Sequence, residues 1–207
     1  MIDVARRKII RAMGKLAALA LGAVLWAGLP GSASAHAFST AILGQEGTTA
    51  TDLAAAVSGF RIATRESDGH AMETSDGHLG GLDVYIIPLP AELGTGIDGL
   101  VGVQPDSYDF VVLLGQGDPP VGTISGITEA TIVVSPGASS DVSRFTSQPN
   151  SFFTQYQGYY GAAPNEAAAH GYIAARRIDQ AVRQFGAVSQ TGAIRDALAE
   201  TATGINQ

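Results

Sequence analysis

The sequence predicts an α/β fold, a single doubly wound (Rossmann-like) domain with a mostly parallel sheet. Four short runs rich in Val, Ile, Leu and Phe, each followed closely by Gly or Pro, predict strands. The run at 110–114 is apolar on both faces, as expected of a central parallel strand that is covered on both sides. Because helical patterns alternate with these strands, the sequence predicts one α/β layer with a mostly parallel sheet.

The elements are predicted in order along the chain. The first strand covers 38–43, and a helix follows at 50–66, where Leu53, Val57 and Phe60 share one face after a capping Thr48 or Thr49. The remaining predictions are a polar, Gly-rich loop at 67–81, strands at 83–87, 110–114 and 130–134, a poorly patterned segment at 97–103 with a short helix as one alternative, and helices at 152–160, 165–185 and 193–202.

Residues 1–35 predict a cleavable signal peptide. Five basic residues precede the uncharged apolar run 16–29, which is shorter than the roughly 20 residues that span a bilayer. The small residues Ala33-Ser34-Ala35 suit a signal peptidase, so the mature chain is predicted to begin at His36. Cleavage after Ala37 is the alternative. The protein is therefore expected in the periplasm, without stable membrane insertion after cleavage, with 36–207 as one domain.

Composition excludes several functions. The chain has no cysteine, so disulfides and thiolate metal sites are excluded. Five of the 12 basic and one of the 19 acidic residues lie in 1–35, which leaves 7 positive and 18 negative charges, or −11, in the predicted mature chain. Such an acidic surface repels nucleic acids and anionic membranes. No nucleophile elbow and no glycine-rich phosphate motif occurs, and no enzymatic activity is predicted.

The C-terminal helices carry an ordered series of motifs. The series comprises Phe153, Gln157, Tyr160-Gly161, Pro164, Ala168, Gly171-Tyr172, Ile178, Ala181-Val182 and Ile194-Arg195. Earlier stretches agree in order: Gly59-Phe60, Gly80-Gly81-Leu82-Asp83-Val84 and 133–140. Together these motifs resemble the type I periplasmic solute-binding proteins, the receptors of branched-chain amino-acid and amide ABC transporters.

Members of that family fold as two lobes that close on a ligand, whereas this chain has room for one lobe. The resemblance therefore implies a non-enzymatic, single-lobe solute-binding or accessory protein. Its open face would hold an amino-acid-like small molecule or dock a partner, such as an ABC transporter component, another subunit or a second copy in a homodimer.

Candidate ligand-binding residues follow the predicted strands, because ligands of parallel sheets bind at the carboxyl ends of the strands. Gln45 follows the first strand, Gln116 the third, and Ser135, Ser139 and Ser140 the fourth. The resemblance implies that Ser139 and Ser140 contact a ligand carboxylate through hydroxyl and backbone N–H groups. The alternative is that these serines turn the chain and cap a helix.

Histidines suggest a second hypothesis, a periplasmic copper or zinc protein. If His36 is the mature N-terminus, its α-amine and imidazole can chelate one metal ion, and His70 and His78 lie in the predicted loop beside several carboxylates. Solvated histidines without a metal are the alternative. His170, within a predicted helix, is interpreted as structural. The tyrosines at 156, 159 and 160 are interpreted as core and helix-packing residues.

Overall fold

A five-stranded, mixed and mostly parallel sheet with helices forms the protein, and the predicted α/β class is confirmed. The computed structural model describes residues 37–67, 74–90, 107–115, 124, 126–134, 139–147 and 150–203, which all belong to one compact unit. The elements are β1 (Ala37–Gly44), α1 (Ala50–Glu66), β2 (His78–Leu79), β3 (Leu82–Leu89), β4 (Phe110–Leu114), β5 (Ile132–Val134), α2 (Ser139–Ser147), α3 (Ser151–Tyr160), α4 (Glu166–Arg183), α5 (Thr191–Glu200) and a 3-10 turn (Thr201–Thr203).

The strands lie in the order β2-β3-β1-β4-β5. β1 is parallel to both of its neighbours, with Thr40 opposite Ile86 of β3 and Phe110 of β4, and β5 is parallel to β4. Only β2 is antiparallel, and it pairs with β3 at the edge. All five residues of β4 are buried, as its uniformly apolar sequence predicts.

Apolar residues cover both faces of the sheet. Alternate residues of β1, such as Phe38 and Ile42, pack with the helices in the larger core cluster. The residues between them, Ala41 and Leu43, point to the opposite face and join a second cluster made by Leu89, Tyr108, Val111, Leu113, Ile124 and Ile127. The sheet is therefore buried on both sides, which explains why β4 shows no polar alternation.

Helices α1 and α4 touch backbone to backbone at two glycines. A Cβ atom added to Gly59 of α1 would lie 1.9 Å from the carbonyl oxygen of Ala168, and one added to Gly171 of α4 would lie 1.9 Å from that of Ala56. Such distances are far inside van der Waals contact, so both positions require glycine. The two helices form one rigid layer against the sheet.

The predicted loop at 67–81 is partly wrong, because its described end forms β2 and a tight turn at Gly80-Gly81, both with positive φ. Contacts distant in sequence stabilise this hairpin. The Gly80 N–H donates to Asp179 Oδ1 of α4 at 2.7 Å, and Asp76 accepts from Arg61 Nη2 at 2.9 Å. The sequence of the loop itself does not indicate that Asp179 and Arg61 are its partners.

Two predicted strand ends differ from the structure. β3 continues through Pro88, which was predicted to end it. On the outer side of β3, β2 pairs only with Leu82 and Asp83 and does not reach Pro88. Within the described residues, the missing N–H of the proline therefore costs no hydrogen bond to β2. The strand predicted at 130–134 is shorter: Ala130 and Thr131 belong to the preceding turn, where the Thr131 N–H donates to the Thr128 carbonyl at 3.0 Å.

The C-terminal helices agree with the predictions within a few residues, and side-chain caps mark two of their starts. Asn150 accepts from the Phe153 N–H and Asn165 from the Ala168 N–H. α2 was not predicted as an element. It contributes Phe145, whose ring centroid lies 5.2 Å from that of Tyr172.

None of the described helices is long and apolar enough to cross a membrane. The predicted signal peptide and the poorly patterned segment at 97–103 lie outside the described residues.

Candidate functional site

The strand order identifies one position in the sheet where a ligand is expected. From β1 the chain passes through α1 to β3 on one side, and it then returns to β4 on the other side of β1. The carboxyl ends of β1 and β4 therefore flank the point where the strand order reverses, and ligands of open α/β sheets usually bind at such a point. Gln45 lies directly after β1 at this point, as predicted.

A tight turn shapes the end of β1. The Thr48 N–H donates to the Gln45 carbonyl oxygen at 2.9 Å, and Gly47 within the turn has φ +86°, which favours glycine. Glu46 lies at the exposed tip. The turn holds Gln45 half-buried at the edge and presents one carboxylate to solvent.

The same turn is bonded to β4. The Leu114 carbonyl oxygen accepts from the Gln45 N–H and from the Thr48 hydroxyl, each at 2.9 Å. Gly115 lies against the turn, since a Cβ added there would be 3.3 Å from Gln45 Cβ. The ends of β1 and β4 thus form one hydrogen-bonded platform. The sequence predicted Thr48 only as a possible helix cap, and its hydrogen bond to β4 was not predicted.

The N-terminus of α1 begins beside this platform and supplies its own capping groups. Thr49 Oγ1 accepts from the Asp52 N–H at 3.1 Å, and the Asp52 carboxylate accepts from the Thr49 N–H at 3.2 Å and from its hydroxyl at 2.7 Å. Asp52 already supplies the negative charge that the helix dipole favours here. Together with Glu46 it makes this part of the edge acidic, which disfavours an anionic ligand group.

The other predicted ligand-binding residues stay predictions. Ser139 and Ser140 form the first turn of α2 after β5, so this part of the serine stretch is helical. That placement is compatible both with helix capping and with contact through backbone N–H groups. Gln116 and Ser135 lie outside the described residues.

His78 lies in β2 and not in a loop. Its Nε2 atom is 2.9 Å from Oδ1 of Asp83, the residue opposite it on β3, and only 14% of the imidazole is exposed. No three His, Asp or Glu side chains converge on a common point in the part of the chain that the structure describes. His36 and His70 lie outside those residues, so the metal hypothesis stays untested.

The tyrosines of α3 divide into two kinds. Tyr156 is buried, as expected, and burial raises the pKa of its hydroxyl. Tyr159 and Tyr160 are 60% and 39% exposed, so they are not core residues, although both contact α1 as helix-packing residues do: Arg65 lies over the Tyr159 ring and the Tyr160 hydroxyl donates to the Ser58 carbonyl oxygen. Their spacing of three and four residues keeps them on the same side of α3 as Tyr156, so helical periodicity does not account for their exposure.

His170 has a structural environment on α4, as interpreted. It is half-buried, and its Nε2 lies 3.8 Å from Glu166 Oε1 one turn earlier. Burial lowers the pKa of the imidazole below its ordinary value, and the Glu166 carboxylate opposes this shift.

This pKa shift predicts a pH dependence of stability. Because folding disfavours the protonated form of His170, the unfolded state binds more protons than the folded state as the pH falls through about 6.5, so stability falls as the pH drops through that range. Urea unfolding at pH about 7.5 and about 5 should show a smaller loss for His170→Gln than for the wild type. An equal loss in both proteins would show that His170 does not contribute.

No protein-family model, no curated protein and no solved structure matches the chain significantly.

Proposed function

We propose that the protein is a single-lobe periplasmic solute-binding protein, related to the receptors of ABC transporters, that binds a small amino-acid-like molecule at the carboxyl ends of β1 and β4. The observation that supports this function is the parallel order β3-β1-β4-β5. It is the order of a doubly wound fold whose reversal point falls between β1 and β4. The face opposite α1 is apolar as well, and its described cluster consists of strand and turn residues.

Gln45 is the best-supported ligand contact on this platform. Its side chain is half-buried, and an amide can both donate to and accept from a small ligand. The nearby carboxylates of Glu46 and Asp52 favour a ligand that presents a neutral amide or an amine to Gln45 over a ligand that presents a carboxylate there. Since one lobe leaves the other side of the ligand in solvent, we expect weaker binding than in a two-lobe receptor.

Docking of a partner subunit at the same edge is the alternative, and a broad apolar surface there would favour it. The exposed residues described at this edge are small or polar: Glu46, Gly47, Thr49, Ala50, Thr51 and Gly115. These residues fit a small polar ligand better than a protein partner. The docking function therefore ranks second.

A ligand screen by thermal shift and calorimetry tests the function. The panel contains branched-chain amino acids, short amides, Cu(II) and Zn(II), so that it also tests the metal hypothesis. A ligand at about 100 times its Kd stabilises the folded state by about 2.7 kcal/mol and should raise Tm by roughly 5–10 °C. The absence of a response to every member of the panel would contradict both hypotheses.

The Gln45→Ala variant locates the site. We expect its Kd for the responding compound to rise about tenfold, because one buried polar contact is lost. Gln184→Ala is the matched control, because Gln184 is exposed at the end of α4. It directly follows Val182 and Arg183, which contact Gly80 at the amino end of β3, away from the platform. A response that Gln45→Ala leaves unchanged would place the ligand elsewhere.

A further inference from the structure

Every N–H group that points outward from β3 between 84 and 88, a stretch that the structure describes in full, is either bonded or missing. Backbone groups of alternate strand residues point to the same side, and those of Val84, Ile86 and Pro88 point away from β1. The Val84 N–H donates to the Gly77 carbonyl oxygen and the Ile86 N–H to Asp76 Oδ2, each at 2.9 Å. Pro88 has no N–H group. The edge is therefore closed, although β2 pairs only with its first two residues.

A β-bulge ends the backbone pairing on this side of β3. The Val84 carbonyl oxygen accepts from the Asp76 N–H at 2.8 Å, while the Val84 N–H donates to Gly77, so that two residues oppose one. Gly77 has φ +111°, which favours glycine. Beyond the bulge a side chain replaces the backbone, because the Asp76 carboxylate accepts the Ile86 N–H that the next residue of an outer strand would otherwise accept.

Helix α1 fixes the position of the Asp76 carboxylate. Nε and Nη2 of Arg61 donate to its Oδ1 at 3.1 and 2.9 Å, and Oδ2 accepts from Ile86. The Thr64 hydroxyl donates to the Asp76 carbonyl oxygen at 2.6 Å. A Cβ atom added to Gly77 would lie 2.9 Å from Thr64 Cβ, so this segment lies directly against α1. Since its backbone groups and both carboxylate oxygens are bonded, Asp76 is held in one orientation against β3.

We propose that Asp76, together with Pro88, closes the β3 edge against a strand of a second copy of this chain. Uncovered edge strands pair with other chains, and proteins prevent this with bulges, prolines and charged side chains. Without the carboxylate, the Ile86 N–H loses its acceptor. A two-fold axis beside Ile86 then lets each copy donate to the Ile86 carbonyl oxygen of the other, as in an antiparallel pair. This role does not depend on a ligand at the β1–β4 platform.

Replacement of Asp76 by alanine removes the acceptor and should let two edges pair. Sedimentation velocity of the folded protein, expressed from the full chain, should show self-association at least about tenfold tighter than in the wild type. Arg61→Met is the matched control, because it removes the same ion pair and leaves the carboxylate on Ile86. Its self-association should stay at the wild-type level, whereas an effect of lost stability alone would appear in both variants.

A charge on β3 locates the new contact. Tyr85 is 42% exposed beside Ile86, and lysine on an edge strand opposes pairing. Adding Tyr85→Lys to Asp76→Ala should therefore restore the wild-type behaviour. Tyr159→Lys is the control for the added charge, because Tyr159 is 60% exposed on α3, and it should not restore that behaviour. Equal suppression by both lysines, or self-association of Asp76→Ala no tighter than that of Arg61→Met, would overturn the proposal.

A variant that removes no hydrogen bond protects the test against a folding defect. Pro88 is exposed, and Pro88→Val supplies an outward N–H in a residue that favours strands. We expect self-association at least about threefold tighter than in the wild type, without a lower Tm, and reversal by Tyr85→Lys. If Asp76→Ala does not fold, Pro88→Val decides the question, and self-association at the wild-type level would then overturn the proposal.

Discussion

Replacement of Gly171 by alanine is expected to destabilise the protein by about 3 kcal/mol or more. A methyl group on this residue would lie 1.9 Å from the Ala56 carbonyl oxygen. The atom it meets is backbone, which cannot rotate away as a side chain can. α1 and α4 would have to separate, and the tightly packed residues around them would lose contact along both helices.

Gly59→Ala should have a similar effect for the reciprocal reason, since its methyl group would lie 1.9 Å from the Ala168 carbonyl oxygen. Both substitutions separate the same pair of helices. In the double variant, therefore, the second methyl group should cost much less than the first.

Urea unfolding followed by circular dichroism measures these effects. The matched control is Gly158→Ala, because Gly158 lies within α3 and a Cβ atom there would meet nothing within 4 Å. This control should be neutral or stabilising by up to about 1 kcal/mol, since alanine favours helix more than glycine does. A loss below about 1 kcal/mol for Gly171→Ala would show that the helices move apart easily.

The sequence predicted the helices at 50–66 and 165–185 well, but it did not predict how closely they pack. Leu53, Val57 and Phe60 repeat at helical spacings, and this periodicity is a local property that any helix burying one face must show. The glycine requirement depends on which residue of α4 lies opposite Gly59. That pairing joins residues distant in sequence and leaves no periodic signal.

The same distinction applies to the candidate site. Gln45 could be placed at the edge of the sheet because a strand followed by a helix has its carboxyl end between them. The hydroxyl of Thr48, in contrast, bonds to Leu114, and His78 pairs with Asp83 only because β2 folds back on β3. The Thr48 contact depends on the strand order, and the His78 contact depends on the geometry of the hairpin. The residues next to Thr48 and His78 in the sequence specify neither.

Replacement of Arg177 by methionine is expected to reduce the free energy of unfolding by about 2–3 kcal/mol. Arg177 is only 5% exposed, although it directly follows Arg176 in what resembles an ordinary solvated basic pair. Its guanidinium reaches the end of α5, where Nη2 donates to the Leu198 carbonyl oxygen at 2.7 Å and Nε donates to Thr201 Oγ1 at 3.1 Å. Methionine fills most of the volume and leaves both acceptors without these donors.

Arg176→Met provides the matched control for this prediction. Arg176 is one residue away and pairs with Glu66 at 3.3 Å, but it is 26% exposed, so solvent screens the pair and its loss should cost less than about 1 kcal/mol. Arg177→Lys should recover little of the lost stability, because a single ammonium group lacks the fork that reaches Leu198 and Thr201 together. Equal losses for Arg176→Met and Arg177→Met in urea unfolding would mean that charge, and not the buried cap of α5, determines the effect. A larger loss at Arg177 would show that this cap attaches the last helix to α4.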